Sequence, residues 1–165
     1  MLELYIIRHG FAGIRLEDEA LDEERPLKKK GKEKMKDISK GLKEMDVTFD
    51  VVLTSPLVRA KESAEILNAY CCKNNEVTVT DLLKPDASYE ALVKFLNQQK
   101  EFDKIAIVGH EPFLSGFACF CLSNTKNSFI NLKKSGVLKL DVDKVIKPKR
   151  CALAWLIEPR HIING

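Results

Sequence analysis

The sequence predicts an α/β protein, a three-layer α/β/α sandwich around a mostly parallel mixed sheet. Two observations carry this expectation. Short apolar runs rich in strand formers alternate with segments of helical period, and each helix can carry the chain back across one sheet face before the next parallel strand. Only the last third differs, with two strand-like runs flanking Lys147-Pro148-Lys149-Arg150, which predicts a closing antiparallel hairpin.

The elements follow in order. Leu2-Glu3-Leu4-Tyr5-Ile6-Ile7 reads as a buried strand running into Arg8-His9-Gly10. Met35, Ile38, Leu42 and Met45 recur at spacings of three and four, the signature of one buried helical face. Asp50-Val51-Val52-Leu53-Thr54 is the next strand, ending at Ser55-Pro56, and Ala60, Ala64 and Leu67 mark the next helix. Val77-Thr78-Val79 ends near Asp81, after which Leu92, Phe95 and Leu96 again show a helical period. Lys104-Ile105-Ala106-Ile107-Val108 ends at Gly109-His110, and Val137–Val142 and Cys151–Ile157 form the hairpin. Pro56 and Pro112 fit the first turn of the helices that follow them, where a missing N–H is harmless.

A chain of 165 residues suits one domain spanning 1–165, and 45% hydrophobic with 31% charged residues describes a chain able to bury a core. No run of about 18 apolar residues is present, so no membrane span is expected. The net charge of +3 lacks the concentrated basic stripe of a nucleic-acid binder, so no nucleic-acid partner is expected. Five cysteines without a Cys-x-x-Cys spacing read as reduced thiols of a cytoplasmic protein, and Glu3 and Arg8 interrupt any signal-peptide pattern. A monomer is expected. Two charge runs stand out, six acidic residues between Glu17 and Glu24 and six lysines between Lys28 and Lys36. They read as a solvated loop and a solvated helix face, the sharper alternative being that they border a site and select a partner protein.

Ligands of open α/β sheets bind beyond the carboxyl ends of the strands. Three strand ends here deliver Arg8-His9-Gly10, Ser55-Pro56-Leu57-Val58-Arg59 and Gly109-His110-Glu111-Pro112. Taken alone, Arg59 reads as a surface residue and either histidine as a structural one. Together they make an anion site, because guanidinium forks match phosphate oxygens and helix N-termini add positive dipole ends. A histidine beside bound phosphate can attack phosphorus, splitting one displacement into formation and hydrolysis of a phosphoenzyme. No cysteine has an arginine six positions later, and the glycine-rich nucleotide fingerprints are absent. Asp141-Val142-Asp143 has too little chain after it for a paired-aspartate phosphatase and reads as a strand end and turn.

The ordered set of Arg8-His9-Gly10, Ser55-Pro56-Leu57-Val58-Arg59-Ala60 and Gly109-His110 resembles the histidine phosphatase superfamily, which includes the cofactor-dependent phosphoglycerate mutases. Arg25-Pro26-Leu27 followed by Gly31 looks most like its small SixA-type phosphohistidine phosphatases. The resemblance implies a phosphoglycerate mutase-like fold and a metal-independent phosphatase needing no cofactor. It implies His9 as the nucleophile that becomes phosphorylated, Arg8 and Arg59 as the phosphoryl clamp, and His110 as a donor to the transition state. Arg25 is implied to contact phosphate or substrate near the pocket mouth.

Larger relatives carry an acid that protonates an alcohol leaving group. Around Asp81-Leu82-Leu83-Lys84-Pro85-Asp86 no glutamate fills that place, although Asp86 or Asp18 could serve. Imidazole leaves a phosphoramidate more readily than an alkoxide leaves an ester. The expected substrate is therefore protein phosphohistidine, the alternatives being a small phosphate ester or phosphate recognition without turnover. The arginines should hold the pKa of His9 below its ordinary value, and His110 should gain a proton when phosphate binds.

Overall fold

Successive side chains of a strand point to opposite faces, so an unbroken apolar run must be covered on both sides. That is how the central strands are used. The computed structural model describes residues 1–74 and 76–163. Its elements are β1 (Leu2–Arg8), α1 (Glu19–Glu23), α2 (Lys29–Glu44), β2 (Val51–Thr54), α3 (Val58–Cys71) and β3 (Thr78–Val79), followed after a 3-10 turn (Asp81–Leu83) by α4 (Tyr89–Gln98), β4 (Lys104–Gly109), α5 (Phe113–Ser123), β5 (Val137–Val142), β6 (Cys151–Ile157) and α6 (Pro159–Ile163).

The six strands form one sheet in the order β3-β2-β4-β1-β5-β6. The first four in that order run parallel, while β5 is antiparallel to β1 and β6 to β5. The two faces separate by residue parity. Leu4, Ile6, Val51, Leu53, Ile105 and Ile107 pack with Leu92 and Leu96 of α4 and Phe113, Leu114 and Phe117 of α5. Tyr5, Ile7, Val52, Ala106 and Val108 pack instead with Met35, Ile38 and Leu42 of α2 and Ala60, Ala64 and Leu67 of α3. Three layers result. Among the described residues, no helix is long and apolar enough to cross a membrane, and none of the five cysteines is in a disulfide.

Four local expectations are corrected. The acidic run from Glu17 is no plain loop, because Asp18 accepts the Leu21 N–H at 3.0 Å and caps α1. Pro112 is the N-cap of α5, and Pro56 lies two residues ahead of α3, whose entry is held as a turn by the Leu57 N–H on Ser55 Oγ at 3.2 Å. Met45 is the C-cap of α2 and is 47% exposed, so the buried stripe ends at Leu42. Phe95 is only partly buried against its cluster.

Candidate active site

The chain leaves β1 toward the α2 and α3 face but leaves β4 toward the α4 and α5 face, although these strands are neighbours with Arg8 opposite Gly109. Opposite departures open a crevice at the strand ends, the switch point at which such sheets take ligands. His9 and His110 are the first residues beyond those ends. The His9 N–H donates to Gly109 O at 3.0 Å, and the two imidazole centroids are 5.2 Å apart.

Each ring is oriented by one local bond. Nδ1 of His9 lies 2.7 Å from the carbonyl oxygen of Gly10. A carbonyl only accepts, so Nδ1 carries the proton and Nε2 keeps its lone pair. Gly10 is needed for close approach, since a Cβ there would meet Met35 Cγ at 2.9 Å and the Gly31 carbonyl at 3.2 Å. Its N–H donates to Ser63 Oγ at 3.0 Å, and that hydroxyl donates to Arg59 O at 2.8 Å, which ties the histidine loop to α3. Burial pushes the His9 pKa down to about 4, aided by Arg59, Arg8 and Arg25 and opposed by the Gly10 bond. His9 is therefore a neutral base at neutral pH.

His110 is held from below. Its Nε2 is 2.8 Å from the hydroxyl of fully buried Ser55, which also accepts the Leu57 N–H. Burial, then the neighbouring His9, Arg59 and Arg25, push its pKa down to about 3, with Asp22 opposing. With the Ser55 hydroxyl donating to Nε2, the neutral ring carries its proton on Nδ1.

The arginines are organised by a residue the sequence did not single out. Asp22, 6% exposed, accepts from Arg25 Nε at 2.8 Å and from the Leu16 N–H at 2.8 Å, and its Oδ2 lies 3.4 Å from Arg59 Nη2. Its backbone carbonyl takes a further bond from Arg59 Nη1 at 2.8 Å. Burial alone would raise the Asp22 pKa, but the Arg25 bond, the Leu16 N–H and the Arg59 charge outweigh it and leave the pKa below the carboxylate range. The reading of the acidic run as wholly solvated is thus overturned at Asp22, and Arg59 is buried rather than a surface residue. The spacing of three between Asp22 and Arg25 was the available signal.

Arg8, His9, Arg25, Arg59 and His110 line one cavity of about 600 Å³. Arg8 donates through Nη1 to Leu132 O at 3.0 Å, and Arg25 through Nη1 to Ala12 O at 2.8 Å. Among the described residues, three buried nitrogens of this lining have no hydrogen-bond partner: Arg8 Nε, Arg59 Nε and His110 Nδ1. Leaving such a donor unpaired costs about 1–3 kcal/mol, and a tetrahedral oxyanion supplies the missing acceptors. Arg25 lines the cavity while its Nε and Nη1 are bound to Asp22, Ala12 and Gly13 within the protein. Asp86 and Glu111 line the cavity as well, and Glu111 Oε1 accepts the Ser115 N–H at 2.7 Å. Asp18, the other candidate acid, is not among the lining residues; its carboxylate caps α1. Among the described residues, no group of three His, Cys, Asp or Glu is placed to hold a metal ion.

What such a crevice handles is phosphate, and sequence comparison agrees on the class, a phosphatase: residues 4–84 match the histidine phosphatase superfamily (branch 1). An uncharacterized protein of Picosynechococcus sp. (strain PCC 7002) is 36% identical over 141 residues, 84% of this chain and 84% of its own. The chain belongs to the histidine phosphatase superfamily. Among solved structures, the protein histidine phosphatase SixA complexed with tungstate superposes with a TM-score of 0.83 at 18% identity, covering 97% of this chain and 99% of that one. Phosphoserine phosphatase from Entamoeba histolytica, in complex with phosphoserine, gives 0.71 at 14% identity, covering 98% and 100%. These likenesses establish the fold, which is phosphoglycerate mutase-like.

Proposed function

We propose that the protein is a phosphohistidine phosphatase of the SixA type that works through a phosphoenzyme on His9. One observation supports this above the others: an imidazole with a free, unprotonated Nε2 lies in a cavity whose lining has three unpartnered buried donors. The phosphoryl group binds among Arg8 Nε, Arg59 Nε and His110 Nδ1. His9 Nε2 forms a bond to phosphorus as the bond to the substrate imidazole breaks, and the substrate ring, protonated from solvent at its other nitrogen, departs as neutral imidazole. Water then attacks the phosphoenzyme, releasing inorganic phosphate and restoring His9. Negative charge gathering on the equatorial oxygens is met by donors already in place, and it favours protonation of His110. Arg25 assists by holding Asp22 and, through it, Arg59. The chain's own cations supply the charge stabilisation, so the reaction is metal-independent in this reading, and the unpaired cysteines fit a reducing, cytoplasmic setting.

A second reading, a small-molecule phosphomonoesterase, is favoured by Asp86 and Glu111 in the cavity lining, either of which could protonate an alcohol leaving group. The test is incubation of wild type and His9→Ala with a histidine-phosphorylated protein and with para-nitrophenyl phosphate, following phosphate release and acid-labile phosphoenzyme. His9-dependent release that favours the phosphoprotein is the expected result. Release from the ester alone would assign the second reading, and binding without release would refute turnover altogether.

A further inference from the structure

The phosphate cavity has a basic continuation. A groove of about 430 Å³ is lined by Arg8, Lys34, Lys133, Lys134, Glu158 and Arg160. Arg8 and Lys134 line the cavity as well, so the two spaces meet across these side chains. The groove draws on four separate segments, the end of β1, α2, the approach to β5 and the start of α6. Its one carboxylate, Glu158, is already paired with Arg160 Nε at 2.8 Å. Lys34, Lys133 and Lys134 are exposed, and among the described residues none has a carboxylate within 4.0 Å. Lys134 is further placed by Phe11, with Nζ 5.1 Å from the ring centroid.

The cavity lining also carries charge of both signs, Glu19 and Glu23 from α1 and Asp86 together with Arg15 and Lys84. A mouth that carries unpaired lysines in the groove and charges of both signs in the cavity orients a partner. It suits a protein with a local acidic patch beside the phosphorylated side chain, whereas a nucleic-acid backbone crossing the mouth would run its phosphates against Glu19 and Glu23.

Resting on the phosphohistidine reading above, we infer that this groove docks an acidic surface of the phosphorylated protein substrate and so selects proteins over small phosphates. The test variant is Lys34→Glu/Lys133→Glu, because neither residue lines the phosphate cavity. The substrates are an acidic protein phosphorylated on a surface histidine and free phosphohistidine. At low ionic strength kcat/KM for the protein should fall about tenfold or more, with a flatter salt dependence. Turnover of free phosphohistidine should not change, which also shows that the variant is folded. Docking is read without turnover by fluorescence anisotropy of the labelled phosphoprotein on His9→Ala, with and without the two glutamates, where about tenfold weaker binding is expected. Equal losses on both substrates, or undiminished binding of the protein, would overturn the groove. So would a single-stranded oligonucleotide that displaces the phosphoprotein from the groove more strongly than an acidic peptide does. Wild type unable to hydrolyse free phosphohistidine would overturn the chemistry instead, leaving the binding measurement to decide on the groove.

Discussion

The two walls of the phosphate cavity hold their polar groups by opposite means. On the α1 side, Asp22 is a buried carboxylate gripping two arginines, so charge is kept and balanced. On the floor, His9 and His110 are kept neutral by burial and held by a carbonyl and a hydroxyl. The difference teaches where each physical form belongs. In the proposed reaction, fixed positive charge lies where the phosphoryl group brings negative charge, and neutrality lies where a lone pair attacks and a proton is accepted later.

Removing the proposed nucleophile from the floor should break the chemistry most severely. His9→Ala should lower kcat by about 10³-fold or more and abolish the acid-labile phosphoenzyme, measured by rapid quench and acid gel. Breaking the opposite wall comes next. Asp22→Asn leaves Arg25 and Arg59 facing each other with no carboxylate, and loss of one member of a buried pair costs about 3–5 kcal/mol. A lower Tm and weaker turnover are expected, with phosphate restoring more Tm to this variant than to wild type because the anion replaces the missing charge. Equal phosphate shifts in both proteins would show that Asp22 does not balance the arginines.

A smaller effect is expected at Ser55. Ser55→Ala strips the partner from His110 Nε2, and a loss of about tenfold in kcat/KM should follow. A change in the pH profile, with Ser55→Thr restoring activity, would separate positioning of His110 from a packing defect. Last comes pH. Both histidines have folded-state pKa values below the ordinary value near 6.5, so the unfolded chain binds protons first as pH falls. Stability from their neutrality is complete above about pH 6.5 and declines down to the folded-state pKa values of about 4 for His9 and about 3 for His110. Asp22, with its pKa lowered, adds a loss that begins as pH falls through the ordinary carboxylate range and continues below it. Urea midpoints should therefore drop between pH 6.5 and 4, and less so in His9→Gln.

Much of this was legible because the strands announce themselves locally. Each of Arg8, His9, Arg59 and His110 follows a short apolar run or opens the helix after one, so its place at one edge of the sheet follows from parallel pairing. What was hidden depends on contacts made across the chain. Arg59 meets the Asp22 carbonyl across 37 residues, and Ser55 meets His110 across 55, distances at which neither period nor propensity speaks. The acidic run hid Asp22 for a further reason. Its neighbours Glu17, Glu19 and Glu24 are exposed, so the composition correctly described the majority and missed the one carboxylate that turns inward.

The ladder between β1 and β4 also bears on biogenesis. His9 and His110 become neighbours only when these strands, about a hundred residues apart in the chain, have paired in register. Such non-local pairing comes slowly because a long loop must close before any contact rewards it. A ribosome-bound chain that has not yet released β4 therefore holds His9 without His110 beside it, and the proposed site is incomplete at that stage. Enzymatic competence would switch on in a single late event, and recovery of activity on refolding would serve as a clock for closure of the sheet.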